Sequence, residues 1–403
     1  MGAALAGAGH VSPACPEDAR ARVPGDVVLT GTTGFVGMAL LERWLERTDR
    51  NVIALVRADG PDGARARVDA VVEGLFGERA DELAPRVRAV AADMTAPDLG
   101  LDPFERDEIA ERATTIVHSA ASVSFSLSLD ESRAINLEGT RRMLGLARAA
   151  QERGGLAHYA QVSTAYISGT HPGSFSEADH DVGQDFHNGY ERSKYESESL
   201  VRACEGLPFT ILRPSIVVGD RQTGWTASFN VLYWPLRAVS RGLFTAIPAF
   251  PTAPVDAVSI DYVADAIFEL VQSAPGMGET YHLTAGPHCS SIAELARLSS
   301  SYFDVPEPLA VAPEEFARLP LPRAHREALA AGAEYFPYFC MEGSFDDRAT
   351  RARLEPAGIT TSPLPDYMDR LLDFATATRW GKRPISRSET LAAGGALALR
   401  AAS

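Results

Sequence analysis

The segment from Asp26 to Glu46 narrows the possible folds more than any other part of this chain. Asp-Val-Val-Leu-Thr, at 26 to 30, is a short apolar run, and it leads directly into Gly31-Thr32-Thr33-Gly34-Phe35-Val36-Gly37. A helix-like stretch follows, apolar at Phe35, Leu40, Leu41, Trp44 and Leu45. A continuous apolar run of this length fits a parallel strand buried on both faces. Glycines spaced G-x-x-G-x-x-G let the backbone turn tightly and approach a pyrophosphate, whose charge then faces the N-terminus of the next helix. A glycine-rich turn on its own would mean little. Strand, loop and helix in this order predict the opening unit of a dinucleotide-binding domain.

The rest of the chain repeats the alternation. Further strands are expected at Asn51 to Val56, Val87 to Ala91, Thr114 to Val117, Ala157 to Val162 and Phe209 to Leu212, with helices from about Ser132 to Arg153 and from Tyr190 to Cys204. Strands alternating with helical segments of 10 to 20 residues predict an α/β protein built on a doubly wound, Rossmann-like parallel sheet. After Pro214 the pattern loosens into proline, aromatic and small residues. The expected division is a loose tail over 1–24, the nucleotide-binding domain over 25–220, a smaller substrate-binding region over 221–385, and a second loose tail over 386–403. Elements around 256–285 (helix Asp261 to Gln272, strand Thr280 to Leu283) are expected to return to the core. Two further helices are expected near 291–302 and 364–376.

Composition removes several classes of function. The chain has 403 residues, 45% hydrophobic and 23% charged, the balance of a globular protein. With 38 basic against 53 acidic residues its net charge is −15, the wrong sign for a general nucleic-acid binder or a protein that coats anionic membranes. No apolar run is long enough for a transmembrane helix. Met1 to Val11 lacks the basic start of a secretory signal, so a cytoplasmic location is expected. Cys15, Cys204, Cys289 and Cys340 are scattered, and the histidines form no ligand cluster, so neither disulfides nor a metal site are expected.

The end of the second strand bears on the cofactor. An acidic residue there would bond the ribose 2′-hydroxyl of NAD, but the run Ala-Leu-Val ends in Arg57, whose guanidinium suits the extra phosphate of NADP. Asp93, after the third strand, either accepts a hydrogen bond from the adenine amine or caps a helix.

A second constellation is Tyr190-Glu191-Arg192-Ser193-Lys194. Tyrosine and lysine at i and i+4 share a helix face. A nearby ammonium favours tyrosinate, so it is expected to lower the phenol's pKa and make Tyr190 a usable general acid. With 11 tyrosines and only two lysines, Lys194 and Lys382, chance would supply this spacing about 0.05 times in such a chain. Thr164, at the end of the fifth strand, would hold a substrate carbonyl beside Tyr190, with Ser163 as the competing hydroxyl.

These residues carry a family resemblance. Thr30 to Gly37, the downstream Ser163-Thr164 and the Tyr190/Lys194 pair resemble the extended short-chain dehydrogenase/reductases, and Asn136 in Asn136-Leu137-Glu138-Gly139-Thr140 matches their structural and proton-relay asparagine. Leu99-Gly100-Leu101 and Ile116 to Phe125 resemble the thioester reductases and fatty acyl-CoA reductases, the male sterility branch. Arg213-Pro214-Ser215-Ile216-Val217 and Gly224-Trp225 lean to the fatty acyl-CoA reductase side, which Tyr338-Phe339 and Phe345-Asp346 resemble more distantly.

The resemblance implies a fold, a cofactor and a reaction. NADPH would lie across the crevice against Gly31, Thr33, Gly34, Phe35, Val36 and Gly37, with Arg57, Asp93, Met94, Ser119, Ala120, Ala121, Pro214, Ser215 and Ile216 completing its site. Lys194 would hold the nicotinamide ribose and tune Tyr190. Thr164 and Tyr190 would polarise the carbonyl of an acyl thioester, carried on coenzyme A or an acyl carrier protein, on the way to aldehyde or alcohol. The apolar segment Trp225, Phe229, Tyr233, Trp234, Phe244 and Phe250 either receives a lipid-like acyl chain or packs the smaller region. Two other functions fit part of the pattern. A nucleotide-sugar epimerase or dehydratase of the same superfamily would want an acidic residue where Arg57 stands. A non-enzymatic NADP-binding regulator tends to lose the tyrosine and lysine that this chain keeps.

Overall fold

The computed structural model describes residues 25–229, 231–273 and 278–395. The expected tail over 1–24 and residues 396–403 lie outside them, as does Cys15.

Seven strands form one sheet: β1 Asp26–Thr30, β2 Val52–Val56, β3 Val87–Ala91, β4 Ala113–His118, β5 His158–Val162, β6 Phe209–Pro214 and β7 Glu279–Leu283. Their order is β7-β6-β5-β4-β1-β2-β3, with every pair parallel. The chain leaves β1 towards β2 and β3, then returns to lay β4 on the other side. This reversal opens a crevice at the carboxyl ends of β1 and β4.

Alternation along each strand separates two apolar layers. Val27 and Leu29 of β1, with Val52, Ala54 and Val56 of β2, pack on α1 (Phe35–Arg47), α2 (Pro61–Phe76) and α6 (Ile260–Gln272). Val28, Ile53 and Leu55 point the other way, on to α3 (Pro103–Arg112), α4 (Glu138–Arg153) and α5 (Gly189–Arg202). All five residues of β1 are buried, and each fully buried Val or Leu contributes roughly 1.5–3 kcal/mol. β7, far along the sequence, closes the sheet edge beside β6 through Tyr281 and Leu212.

A third apolar cluster joins the short helix Tyr233–Val239 to α7 (Ile292–Phe303) and α8 (Met368–Ala377). The segment from 386 corrects the expectation of a loose tail. Ser386 and Glu389 form a reciprocal capping box that starts α9 (Arg387–Ala392). Arg387 reaches Glu42 of α1 at 2.6 Å and Asp220 at 3.3 Å, and lies over the Trp225 ring. The S-x-x-E pattern was the local signal; the partners that hold the helix are more than 160 residues away.

Candidate active site

The crevice between β1 and β4 opens into a cavity of 770 Å³ at the carboxyl edge of the sheet. One wall is the loop from β1 to α1, with Gly31, Thr33, Gly34, Phe35, Val36 and Gly37. Gly31 has φ +77°, and a Cβ there would sit 2.9 Å from the Ala120 nitrogen; a Cβ on Gly37 would lie 2.0 Å from the Gly31 carbonyl. Side chains at these two positions would collide with the backbone that shapes the cavity wall. No side chain caps the N-terminus of α1, whose first residues face the cavity. A glycine cradle beneath an uncapped helix start fits a dinucleotide pyrophosphate.

Thr30 ties the two halves of the crevice together. Its Oγ1 accepts hydrogen bonds from the Ser119 and Ala120 amides at 3.1 and 2.9 Å and meets His118 Nδ1 at 2.8 Å. Burial first, then Lys194, pushes the His118 imidazole down to about 3, so it stays neutral. Sequence reasoning gave neither residue a role. Ser119, Ala120 and Ala121 line the cavity beside Gly31, and Pro214, Ser215 and Ile216 line it too.

Arg57 and Met94, expected to contact the cofactor, border the cavity, and α2 adds Arg67, which sequence reasoning missed. Arg67 donates to the Arg57 carbonyl and, at 3.4 Å, to Thr33 Oγ1. Two guanidinium-bearing residues thus meet at the end of β2. Asp93 also lines the cavity, but its Oδ1 accepts from the Thr95 amide and hydroxyl at 2.8 and 2.7 Å. Those bonds, more than Arg57 and Arg142, hold its carboxyl below the usual range. It shapes its own turn and caps no helix.

The opposite wall carries Thr164, Tyr190 and Lys194. Asn188 accepts from the Glu191 amide at 3.0 Å, starting α5 so that Tyr190 and Lys194 emerge on its cavity side. Lys194 Nζ donates to the Val162 carbonyl at 2.6 Å, and burial lowers its pKa to about 8 against the pull of Glu198. The expected lowering of the Tyr190 phenol is not found. Burial pushes it up to about 12, opposed by a hydrogen bond with Thr164. Desolvation of the phenolate dominates and Glu191 adds to it, while the Lys194 ammonium is directed at the Val162 carbonyl.

The two competing hydroxyls differ in their partners. Ser163 donates to Glu198 Oε2 at 2.9 Å, and Glu198 is also bound by the fully buried Arg213 at 2.5 Å. Thr164 Oγ1 donates to the Pro214 carbonyl at 3.3 Å, accepts from the Tyr166 amide at 3.3 Å and lies within hydrogen-bonding reach of Tyr190, while both residues line the cavity. Asn136 stands behind the wall rather than on it, within a π-turn over Arg133–Leu137. Its Oδ1 accepts from the Ser122 amide at 2.8 Å, and its Nδ2 donates to the Ser122 carbonyl and to Ser193 Oγ at 3.1 and 2.9 Å, so it joins the 119–125 loop to α5.

The aromatic segment 225–250 packs inward. Trp225, Tyr233 and Phe244 are buried among neighbours of the smaller region, and only Ala227, Ser228 and Val231 of that segment reach the cavity among the described residues. The cavity's own aromatic side is instead Phe125, Tyr166 and Tyr338, beside Tyr190.

A doubly wound sheet with a glycine cradle at its switch point and a Tyr/Lys/Thr wall facing it defines an NAD(P)-dependent reductase of the short-chain dehydrogenase type. The chain belongs to the family described as male sterility protein, whose model matches residues 29–267. An isonitrile lipopeptide synthase of Streptomyces coeruleorubidus is 36% identical over 221 residues, 54% of this chain and 15% of that protein. A carboxylic acid reductase of Mycobacterium tuberculosis is 29% identical over 287 residues, covering 64% of this chain and 24% of its own length. The chain therefore spans less than a third of either relative. Among solved structures, the terminal R domain from the myxalamid PKS-NRPS biosynthetic pathway superposes with a TM-score of 0.74 at 26% identity, over 90% of this chain and 93% of the other. Among the described residues no helix is long and apolar enough to cross a membrane.

Proposed function

We propose that this chain reduces an acyl thioester with NADPH, releasing a thiol and an aldehyde or, after a second reduction, an alcohol. One observation carries the reading: Thr164, Tyr190 and Lys194 share a cavity whose facing wall is the Gly31–Gly37 cradle. The relatives lend the substrate class. They are a lipopeptide synthase and a carboxylic acid reductase, and the chain's fold is that of an R domain.

The cradle and the first turn of α1 would hold the cofactor's pyrophosphate, and the Asp93–Met94 and Ser119–Ala121 stretches its adenosine half. Pro214, Ser215 and Ile216 would border the other end, where Lys194 would hold the nicotinamide ribose. When bound, NADPH supplies the hydride. The phenol of Tyr190 is protonated throughout the physiological range, so it donates a hydrogen bond, and then its proton, to the carbonyl oxygen as charge develops there. Thr164 shares that oxygen and fixes its position. Asn136 positions the loop and helix that carry these groups. Residues beyond 221, ending near 385, would bound the acyl side, and the carrier of the thioester would be coenzyme A or a carrier protein.

Arg57 and Arg67 together support NADP over NAD, because two guanidiniums beside the 2′ position match a phosphate dianion. The test is to mix the protein, NADPH and an acyl thioester, and to follow cofactor oxidation and free thiol together. Coupled release, lost in Tyr190→Phe, is expected, with one or two NADPH per thiol for aldehyde or alcohol. Arg67→Ala should weaken NADPH but not NADH by about tenfold. Oxidation without thiol release, or equal loss of both cofactors, would overturn the respective claim.

A further inference from the structure

Glu191 follows Tyr190 directly, yet it does not line the cavity and is fully buried. Its Oε1 accepts from the hydroxyl of Tyr338 at 2.5 Å, and its Oε2 from the His187 amide at 2.8 Å, with the His187 ring 3.1 Å away. Asn188 Nδ2 donates to the same Tyr338 oxygen at 2.8 Å. The phenol is therefore clamped from two sides by residues of the turn that starts α5. A buried carboxylate is costly unless it is fully hydrogen-bonded, and an apolar pair of similar volume would serve stability as well or better. Such a group is therefore better explained by the position it enforces.

That position is on the cavity. Tyr338 lies in the 3₁₀ helix Ala333–Cys340, far from α5 in sequence, and Tyr338 forms part of the cavity wall. It stacks on Phe125, centroids 5.3 Å apart at 24°, and meets Tyr166 edge-on at 5.4 Å. Phe125 in turn lies 5.8 Å from the Tyr190 ring. Three aromatic layers, Tyr190, Phe125 and Tyr338, thus stand side by side, and the outermost is held by the carboxylate next to the innermost.

We infer that Glu191 is a positioning residue that locks Tyr338, and with it Phe125, as the substrate-side wall of the active site, so that the 333–340 segment is registered to the helix carrying Tyr190. The inference rests on the thioester reductase reading for its substrate, but not for the lock itself. The Tyr338 hydroxyl touches no reacting atom; its role is to hold a flat apolar surface where the acyl group lies beside the thioester.

Two measurements on the full chain test it, with Glu191→Gln and Tyr338→Phe as variants. Tyr338→Phe keeps the ring and removes only the clamped hydroxyl, which guards against a folding defect in the glutamate variant. Hydrogen exchange of the 333–340 backbone should speed up by about tenfold in both, the effect of one charge-assisted bond, while exchange within α5 stays as in the parent. KM for the acyl thioester should rise about tenfold with kcat changed less than about threefold and NADPH affinity unaltered. The double variant should be no worse than the worse single, since both break one clamp. Unchanged exchange at 333–340, or additive effects on KM, would overturn the lock. Absence of thioester turnover in the parent protein would count against the proposed function, and the exchange comparison would still decide the clamp.

Discussion

A phenol whose pKa is pushed up to about 12 is a proton donor rather than a tyrosinate, and this changes what the neighbouring hydroxyls are for. Thr164 does not need to stabilise an anion on Tyr190; in the proposed reaction it would share the substrate oxygen with it. Ser163, one residue earlier, spends its proton on Glu198 beneath the sheet's edge. The two hydroxyls should therefore fail differently. Thr164→Val, which keeps the shape and deletes the donor, should lower kcat by roughly 10²–10³-fold, as for removal of one oxyanion donor, and cost about 1–3 kcal/mol of stability because the Pro214 carbonyl and Tyr166 amide lose a partner. Ser163→Ala should leave turnover within about threefold but cost about 1–3 kcal/mol of stability, because a buried carboxylate loses a partner. Steady-state kinetics and urea unfolding on both variants separate the assignments, and a larger kcat loss in Ser163→Ala would reverse them. From the sequence alone the two were indistinguishable, since adjacent residues at a strand end point opposite ways only once the register is known.

At the scale of elements, the loop from β1 to α1 is the part most tightly specified. A methyl group at Gly37 would meet the Gly31 carbonyl at 2.0 Å, backbone against backbone, with no flexible side chain to give way. Gly37→Ala should accordingly push the loop into the cradle and weaken NADPH binding by at least about tenfold, while the sheet, built from β1 outward, survives. Cofactor fluorescence titration alongside far-ultraviolet circular dichroism checks both halves, and tight binding by the variant would refute the cradle. This element was legible in the sequence because all its determinants are local. So were β3, found at Val87–Ala91 as expected, and α6, one residue longer than expected. Other elements were available but unread: α2 buries Ala64, Val68, Val71, Val72 and Leu75, an i, i+4, i+7, i+8 stripe. The rest was out of reach for a physical reason. Arg67 lies ten residues beyond Arg57, and Tyr338 lies 147 beyond Glu191, so each pairing exists only through the packing of other elements. The bulky residues of 225–250 left two readings open for the same reason: hydrophobicity says that a side chain will be buried, not whether it is buried in the core or against a ligand.

Across the whole molecule, buried histidines set a limit on acid tolerance. Burial pushes His118 and His282 down to about 3 and His158 down to about 4, so all three are neutral in the folded chain well below the pH at which they would protonate when unfolded. Between about 6.5 and 4 the unfolded chain binds protons that the folded chain refuses, and stability falls as pH falls. One unit below the reference value each contributes roughly 1.4 kcal/mol of loss, or about 4 kcal/mol together at pH 5.5. Asp256 works in the opposite direction: burial raises it to about 6, so the folded chain gains protons first, which returns about 0.8 kcal/mol at the same pH. His187, raised by its bond to Glu191, acts in the same direction as Asp256. The histidines win, because three strongly depressed groups, with His180 lowered beside them, outweigh the raised carboxyls of Asp256, Asp261 and Asp347 and the raised His187. The denaturation midpoint should therefore drop between pH 7.5 and 5.5 by the equivalent of about 2–3 kcal/mol, a large part of the stability of an ordinary domain. His158 is the cleanest place to test the cause. It lies in β5, bonded to Thr210 at 2.9 Å and the Val271 carbonyl at 3.2 Å, away from the cavity. His158→Gln, compared with its own midpoint at pH 7.5, should lose about half of the net acid-induced drop, the roughly 1.4 kcal/mol that one such histidine contributes. A variant with the full drop would show that the acid sensitivity originates elsewhere in the chain.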